Sequence, residues 1–413
     1  MKVHSFHLMP YPYLPEDFRE RYRSVYIDIP SELYDPVRGH QVYNDYLDEL
    51  EYADRLGFDG VCVNEHHSNA YGLVPSPNLM AAALARRTRN AGLVVLGNSI
   101  VLYNPPTRVA EEFAMLDVLS GGRLVAGFPL GTAMDTNYAY GQVPLTLRDK
   151  YHEAHDLILR AWTEPEPFAF NGKYTQLRYV NVWPRPLQKP HPPVWIPGGS
   201  SPETWEWVVE KDYLYAHLSL SGHASARRTL GRYYALVEAA GKEPNPYRVG
   251  MTQACFVAES EDEAEELYSE AVSYFFEKCL YIYRGFADVP GYRSRRAIEE
   301  GLAQQGFGLQ PQTPSRLGGG GLSWKQRVEQ GSVVAGTPEQ VTERLREVCK
   351  ELRVGHLMLL LQLGNLSKER TMRNIQMVAE KVLPNLRDLW SEWEDRWWVR
   401  PLEGSRRASL TGK

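Results

Sequence analysis

The chain has 413 residues, of which 43% are hydrophobic and 11% aromatic, and its formal net charge at pH 7 is −5. This composition supplies material for a large core, and the small negative charge excludes the basic surface that nucleic acid or an anionic membrane would require. We therefore expect one large domain that acts on a small molecule.

The amino-terminal residues and the cysteines predict a cytoplasmic protein without a membrane segment. No stretch approaches 18 consecutive apolar residues, and residues 1–8 lack the long apolar run of a signal peptide. The cysteines show no Cys-x-x-Cys spacing, and Cys62 and Cys255 lie in apolar runs where cysteine acts as a small hydrophobe. We expect reduced thiols.

Apolar strands and amphipathic helices alternate along the chain. The predicted strands are continuous apolar runs, which is typical of strands covered on both faces. They are Val3–Leu8, Gly60–Asn64, Leu93–Leu102, Leu124–Phe128, Pro193–Pro197, Leu214–Leu218, Val249–Val257 and His356–Leu363. This eightfold alternation predicts a (β/α)₈ TIM barrel with right-handed crossovers.

Two regions interrupt the alternation. Residues 165–192 are rich in proline and predict an extended excursion before the fifth strand. Residues 281–332 lie before the last helix and strand, and their weak periodicity and glycine run predict an insertion, either a lid over a ligand or a disordered segment. The insertion carries Arg293, Arg295 and Arg296.

We place the barrel domain at residues 1–383 and a C-terminal helix and tail at residues 384–413. The tryptophans between Leu386 and Trp398 follow a helical pattern, which predicts an amphipathic helix. Exposed aromatics of this kind pack on the barrel or on a second subunit, and we expect a homo-oligomer.

The second strand ends in the run Glu65-His66-His67, which presents a carboxylate and two imidazoles. Barrel enzymes carry catalytic groups at these strand ends, and histidine exchanges protons near neutral pH. A structural histidine pair is one alternative. A zinc site is the other, and we predict no metal, because the sequence lacks the helical His-Glu-x-x-His spacing.

The fifth strand ends in the run Gly198-Gly199-Ser200-Ser201-Pro202, which opens a helix. Backbone amides at a helix N-terminus, approached through glycines, form an anion site. Arg148 is a candidate charge-assisted partner of a phosphate bound there. The alternative is an ordinary Gly-Ser turn with a solvated arginine on a helix face.

Together with three further segments, these two runs resemble the bacterial luciferase-like flavin monooxygenases. The match follows the order of the chain over nearly its whole length. The segments that carry it are Glu65-His66-His67, residues 120–124 (SGGRL), residues 156–162 (DLILRAW), Gly198-Gly199-Ser200 and residues 334–341 (VAGTPEQV).

The resemblance implies reduced FMN at the C-terminal mouth of the barrel, dioxygen as co-substrate and a small organic substrate. It assigns catalysis to His66, with Glu65 orienting that histidine or facing the substrate. Near the ring, the family often has a non-proline cis peptide where this chain has residues 97–102 (GNSIVL). The implied cofactor-binding residues are Asn98, Ser99, Arg148, Tyr151, Gly198, Gly199, Ser200, Ser201 and Thr204.

One departure from the family bears on the substrate. After the fourth strand the luciferases have a cysteine and an arginine near the phosphate, and this chain has Pro129 and Leu130. The loss of a cation disfavours long-chain aldehyde luminescence, and we predict an apolar or aromatic substrate. Tyr138 and Tyr140 in the same loop are candidates to rebuild the pocket.

No G-x-G-x-x-G fingerprint for a dinucleotide follows any predicted strand, so we expect a separate flavin reductase to supply reduced FMN. Three alternatives stay open. They are a deazaflavin-dependent oxidoreductase of the same fold, a flavin-binding protein without catalysis, and a metal-dependent barrel hydrolase, for which further ligands are not evident.

Overall fold

Eight parallel strands close into a barrel in the computed structural model, which describes residues 1–199, 201–218, 220–287, 289–296, 298–299 and 321–402. The strands are β1 Lys2–Phe6, β2 Gly60–Val63, β3 Gly92–Val95, β4 Leu124–Gly127, β5 Phe168–Asn171, β6 Gln176–Val180, β7 Val194–Gly198, β8 Leu214–His217, β9 Val249–Val257, β10 Val333–Gly336 and β11 His356–Leu360. The barrel order is β1-β2-β3-β4-β7-β8-β9-β11, and β11 pairs back onto β1 in parallel. The predicted TIM barrel is confirmed.

Helices cover the outside of the barrel. They are α1 Phe18–Arg21, α2 Pro36–Arg55, α3 Pro77–Arg87, α4 Thr107–Ser120, α5 Leu147–Thr163, α6 Pro202–Lys211, α7 His223–Ala239, α8 Glu261–Tyr274, α9 Arg284–Ala287, α10 Trp324–Gln330, α11 Pro338–Leu352 and α12 Lys368–Met377. Local chemistry sets several starts: Thr337 and Gln340 form a capping box at α11, and the Asp35 side chain caps α2. No helix among the described residues is long and apolar enough to cross a membrane.

The barrel strands are buried on both faces, as their apolar runs predicted. One set of alternate residues packs under the helices, and the other fills the barrel, including Phe6, Cys62, Val94, Val125 and Met358. All four cysteines are buried and free.

Within the barrel domain, the structure departs from the predicted elements in three places. The third strand ends at Val95 rather than Leu102, and Ile100–Leu102 is a 3₁₀ turn. Residues 165–192 contain the antiparallel hairpin β5–β6, held because the Glu153 carboxylate accepts the backbone N–H groups of residues 173–175. A ninth strand of the main sheet, β10, pairs with the upper half of β9.

The C-terminal extension is helical only as far as Leu386, so the amphipathic helix predicted over Leu386–Trp398 is wrong. Residues 387–392 form turns and residues 393–399 are irregular, and Trp390 has a positive φ of 66°, which a right-handed helix cannot contain. The indole N–H groups satisfy backbone carbonyls instead: Trp390 donates to Val354 at 2.8 Å and Trp397 to Asp212 at 2.8 Å.

These aromatics pack on the barrel, and Trp398 covers its N-terminal end. The Trp398 ring lies 4.8 Å from that of His4 and 5.7 Å from that of His356, between ring centroids. Gly60 and Gly92 make room for it, because a Cβ on either glycine would lie 2.9 or 2.7 Å from the Trp398 ring. The tail therefore plugs the bottom of the barrel.

Candidate active site at the barrel mouth

His66 lies at the C-terminal mouth of the barrel and is oriented by Asp135. Its Nδ1 is 2.9 Å from Asp135 Oδ2, and its side chain keeps 15% of its surface exposed while that of Asp135 keeps 2%. Asp135 also accepts the His67 backbone N–H at 2.7 Å and the Thr132 hydroxyl at 2.7 Å. Sequence reasoning missed Asp135, which lies on a π-helical turn, Met134–Ala139, beyond β4.

The charge state of this pair follows from its surroundings. Burial opposes ionisation of Asp135, but the charge and hydrogen bond of His66, with the bonds from His67 and Thr132, lower the pKa of Asp135. Asp135 is therefore a carboxylate at neutral pH, and His66 Nδ1 donates to it. In the neutral imidazole, His66 Nε2 then carries the lone pair.

Glu65 serves a different histidine from the one expected. Its Oε1 is 2.9 Å from His67 Nε2, and its Oε2 accepts the Ser99 backbone N–H at 2.6 Å. Residues on a strand end alternate in direction, so Glu65 and His67 share one side and His66 lies on the other. The expectation that Glu65 orients His66 is wrong. The buried Glu65 bonds His67 and the loop that follows β3 instead.

Aromatic side chains surround the two histidines. Tyr71 meets the His66 ring edge-on at 4.9 Å and Tyr26 at 6.0 Å, while Tyr140 meets His67 at 4.5 Å. Tyr140, named from the sequence as a pocket residue, thus lies at the histidines. Tyr138 is half exposed and its hydroxyl donates to the Gly285 carbonyl at 2.9 Å, which links the β4 loop to the insertion.

The structure brings Arg148, Ser201 and Thr204 together at the start of α6. Arg148 Nη2 donates to Ser201 Oγ at 3.3 Å, and Nη1 donates to Thr204 Oγ1 at 3.4 Å. Ser201 is the N-cap residue of α6, yet its side chain does not cap the helix. A Cβ on Gly199 would meet no atom within 4 Å, so open space borders this group.

This arrangement fits a phosphate. One guanidinium, two hydroxyls and a helix N-terminus are donors that phosphate groups use, and the space beside Gly199 lets a ligand approach the backbone. We call Arg148, Ser201, Thr204 and Gly199 the phosphate cradle. Ser200, which was predicted to belong to it, lies outside the described residues.

Tyr151 and Asn98, which were also predicted to bind the cofactor, have buried side chains that bond to other groups of the protein. The Tyr151 hydroxyl donates to the Phe128 carbonyl at 2.6 Å, and the side chain is buried under the helices. Asn98 is buried and donates to the Tyr103 hydroxyl at 3.2 Å, although its Oδ1 has no partner. Cis peptide bonds in the described residues all precede proline, so the non-proline cis peptide expected within residues 97–102 is wrong. Gly198 is the last residue of β7.

The described part of the insertion lies across the mouth. The Tyr292 hydroxyl donates to the Gly131 carbonyl, and the Ser294 hydroxyl donates to Glu203 at the start of α6. Burial, outweighing the charge of Arg148, raises the pKa of Tyr292 to about 12, which keeps the hydroxyl a donor. The run 318–320 lies outside the described residues.

Arg295 and Arg296 of the insertion pair away from the mouth. Arg295 bonds Glu299 at 2.6 Å, and Arg296 bonds the exposed Glu206 of α6 at 2.7 Å. Within the described residues, no group of three His, Cys, Asp or Glu side chains is arranged to hold a metal.

Comparison with known proteins places this geometry in context. Residues 27–356 match the family model described as luciferase-like monooxygenase. The chain is 26% identical over 266 residues to the oxygenase component of a flavin-dependent trigonelline monooxygenase from Acinetobacter baylyi, covering 63% of this chain and 69% of that protein.

Two solved structures share the fold. The oxygenating constituent of 3,6-diketocamphane monooxygenase from Pseudomonas putida, in complex with FMN, matches with a TM-score of 0.70 at 20% identity, covering 93% of this chain and 98% of that one. An F420-dependent secondary alcohol dehydrogenase matches with a TM-score of 0.64 at 18% identity, covering 94% and 99%.

Proposed function

The chain belongs to the luciferase-like monooxygenase family and is a flavin-dependent monooxygenase, and we propose that it uses reduced FMN and dioxygen to oxidise a small apolar or aromatic molecule. The observation that supports this proposal best is the pairing of two groups at one barrel mouth. His66 is oriented by Asp135 on one side, and the phosphate cradle lies on the other. The insertion bonds the β4 loop through Tyr292 and the start of α6 through Ser294.

In this proposal the phosphate cradle holds the cofactor. Arg148 supplies the charge, Ser201 and Thr204 supply hydroxyls, and the N-terminus of α6 adds backbone N–H groups. By the resemblance to the family, Leu130 lies where the luciferases have an arginine near the phosphate. Arg148 therefore supplies positive charge to the phosphate without that second arginine. Reduced flavin, when bound, supplies the electrons that dioxygen activation requires.

In this proposal His66 accepts a proton or a hydrogen bond during the reaction. With Nδ1–H donated to Asp135, Nε2 accepts a proton from the substrate or accepts a hydrogen bond at the reacting centre. The carboxylate stabilises the imidazolium that forms, as in other carboxylate–histidine pairs. This arrangement disfavours a flavin-binding protein without catalysis, because such a protein would have no need of an oriented base.

The insertion and the tyrosines exclude water from the mouth. Tyr292 and Tyr138 connect the insertion to the β4 loop by hydrogen bonds to Gly131 and Gly285. A site that excludes water strengthens the electrostatic interactions within it and limits side reactions with water at the reacting centre.

The substrate class follows from the lining. Tyr71 and Tyr140 present ring surfaces near the histidines, while Arg295 and Arg296 pair with carboxylates elsewhere. An anionic substrate would be bound by arginines at the mouth that are not already paired with carboxylates. The names of the relatives, trigonelline monooxygenase and 3,6-diketocamphane monooxygenase, support a small organic substrate.

A separate reductase is the expected partner. The barrel strands lead into turns without a dinucleotide fingerprint, so NADH would be oxidised elsewhere. The names "oxygenase component" and "oxygenating constituent" of the relatives support this division of labour. We propose that the protein acts in the cytoplasm as a homo-oligomer.

Anaerobic titration with four ligands tests the proposal: reduced FMN, oxidised FMN, reduced F420 and riboflavin. We expect reduced FMN to bind more tightly than oxidised FMN, and FMN to bind more tightly than riboflavin because only FMN carries the phosphate. Binding of F420 with negligible binding of either form of FMN would instead favour the deazaflavin alternative, which the F420-dependent structural relative and the missing arginine at Leu130 keep in view.

A further inference from the structure

Glu203, the second residue of α6, presents a carboxylate to the donors of the phosphate cradle. Its Oε2 accepts the Ser201 hydroxyl at 3.0 Å, and its Oε1 accepts the Ser294 hydroxyl of the insertion. Ser201 in turn accepts a bond from Arg148. Glu203 is therefore joined to the cradle on one side and to the insertion on the other.

The electrostatics show that this carboxylate is ionised. Burial opposes the charge, but bonds from Ser294, from its own backbone N–H and from Ser201, with the charge on Arg148, lower the pKa of Glu203. A backbone N–H at a helix N-terminus and two serine hydroxyls donate to it, and a guanidinium stabilises it by its charge. A phosphate would use the same three kinds of donor.

We propose that Glu203 is a specificity-determining residue that acts as an internal anion at the phosphate cradle, where it competes with the cofactor phosphate for the Ser201 hydroxyl and for the positive charge of Arg148. The inference rests on the proposed function. A phosphate that binds Ser201 must displace the Glu203 carboxylate, since two anions cannot share one hydroxyl donor. The displaced carboxylate keeps its bond to Ser294, so phosphate binding and the position of the insertion are linked.

The test compares Glu203→Gln with the unchanged protein by anaerobic titration of FMN and riboflavin. Glutamine keeps the size of the side chain and its capacity to bond Ser201 and Ser294, but removes the charge. One charge a few ångströms from a phosphate near the surface changes affinity by roughly tenfold, and salt screens it. We expect FMN to bind about tenfold more tightly to the variant at low salt, with riboflavin binding unchanged.

Glu206→Gln is the matched control. Glu206 lies one turn further along α6 and also bonds the insertion, through Arg296, but it takes no part in the cradle. We expect its FMN and riboflavin affinities to equal those of the unchanged protein.

The outcomes separate the two proposals. Equal FMN affinity in Glu203→Gln and the unchanged protein, or a gain shared by riboflavin, overturns the internal-anion role. A weaker FMN affinity in the variant also overturns it and makes Glu203 a support of the helix start. If neither protein binds FMN in either redox state, the proposed function itself fails, and the inference fails with it.

Discussion

Replacement of Asp135 by Asn should invert the tautomer of His66. The carboxylate accepts His66 Nδ1–H at 2.9 Å, the His67 backbone N–H at 2.7 Å and the Thr132 hydroxyl at 2.7 Å. An amide oxygen can keep the bond from His67, but the new NH₂ then faces His66 Nδ1. The imidazole must accept that hydrogen, and its own proton moves to Nε2.

The magnitude follows from the bonds that change. Hydrogen bonds to a charged group contribute about 1.5–3 kcal/mol each, so we expect the free energy of unfolding to fall by about 2–3 kcal/mol after partial re-pairing. Because Nε2 loses its lone pair, substrate oxidation should slow by about 10²–10⁴-fold. The affinity for FMN should stay the same, since Asp135 does not belong to the phosphate cradle.

Nitrogen NMR of histidine-labelled protein reads the tautomer directly, and anaerobic titration and single-turnover oxidation supply the affinity and the rate. Thr132→Val is the control, because it removes one bond to Asp135 and leaves the contact with His66. An Asp135→Asn protein that is folded, keeps the proton on Nδ1 and oxidises substrate within threefold of the normal rate would refute the reasoning.

Three further predictions concern the cradle, the barrel floor and pH. Arg148→Ala should weaken FMN binding about tenfold or more and spare riboflavin; an equal loss for both ligands in titration would place the arginine outside the cradle. Trp398→Ala should lower the free energy of unfolding by about 3 kcal/mol in urea titration. Gly92→Ala should destabilise the Trp398→Ala protein less than it destabilises the unchanged protein, because the new Cβ no longer meets the Trp398 ring. Burial lowers the pKa of His217 to about 4. Below about pH 6.5 the histidine therefore binds a proton in the unfolded chain but not in the native state, and the free energy of unfolding falls as the pH drops towards 4. His217→Gln should remove about 2 kcal/mol of that loss between pH 7 and pH 5, and parallel pH profiles of the two proteins would contradict it.

The barrel and the phosphate cradle could be predicted because their signals are local. Each strand is a continuous apolar run, and Ser201-Pro202 marks the start of α6 in the sequence itself. Arg148 was reachable through the family resemblance, and the structure adds the contacts with Ser201 and Thr204. Its role in cofactor binding stays a prediction.

The missed features depend on contacts between distant parts of the chain. Asp135 lies 69 positions from His66, on a π-helical turn that has no simple periodicity in the sequence. The spacing of the C-terminal tryptophans imitates an amphipathic helix, but their partners are the barrel floor and backbone carbonyls. Glu65 and His67 pair because alternation at a strand end overrides adjacency in sequence.

Closure of the barrel imposes an order of events on the folding chain. The strand β1 pairs on one side with β2 and on the other with β11, whose partner residues run from His356 to Leu360. Trp398 then seals the floor beneath both. During translation β1 must wait with one unpaired edge for more than three hundred residues, which exposes the nascent chain to misassembly. Pairing of β11 with β1 is thus the step that ends this vulnerable period.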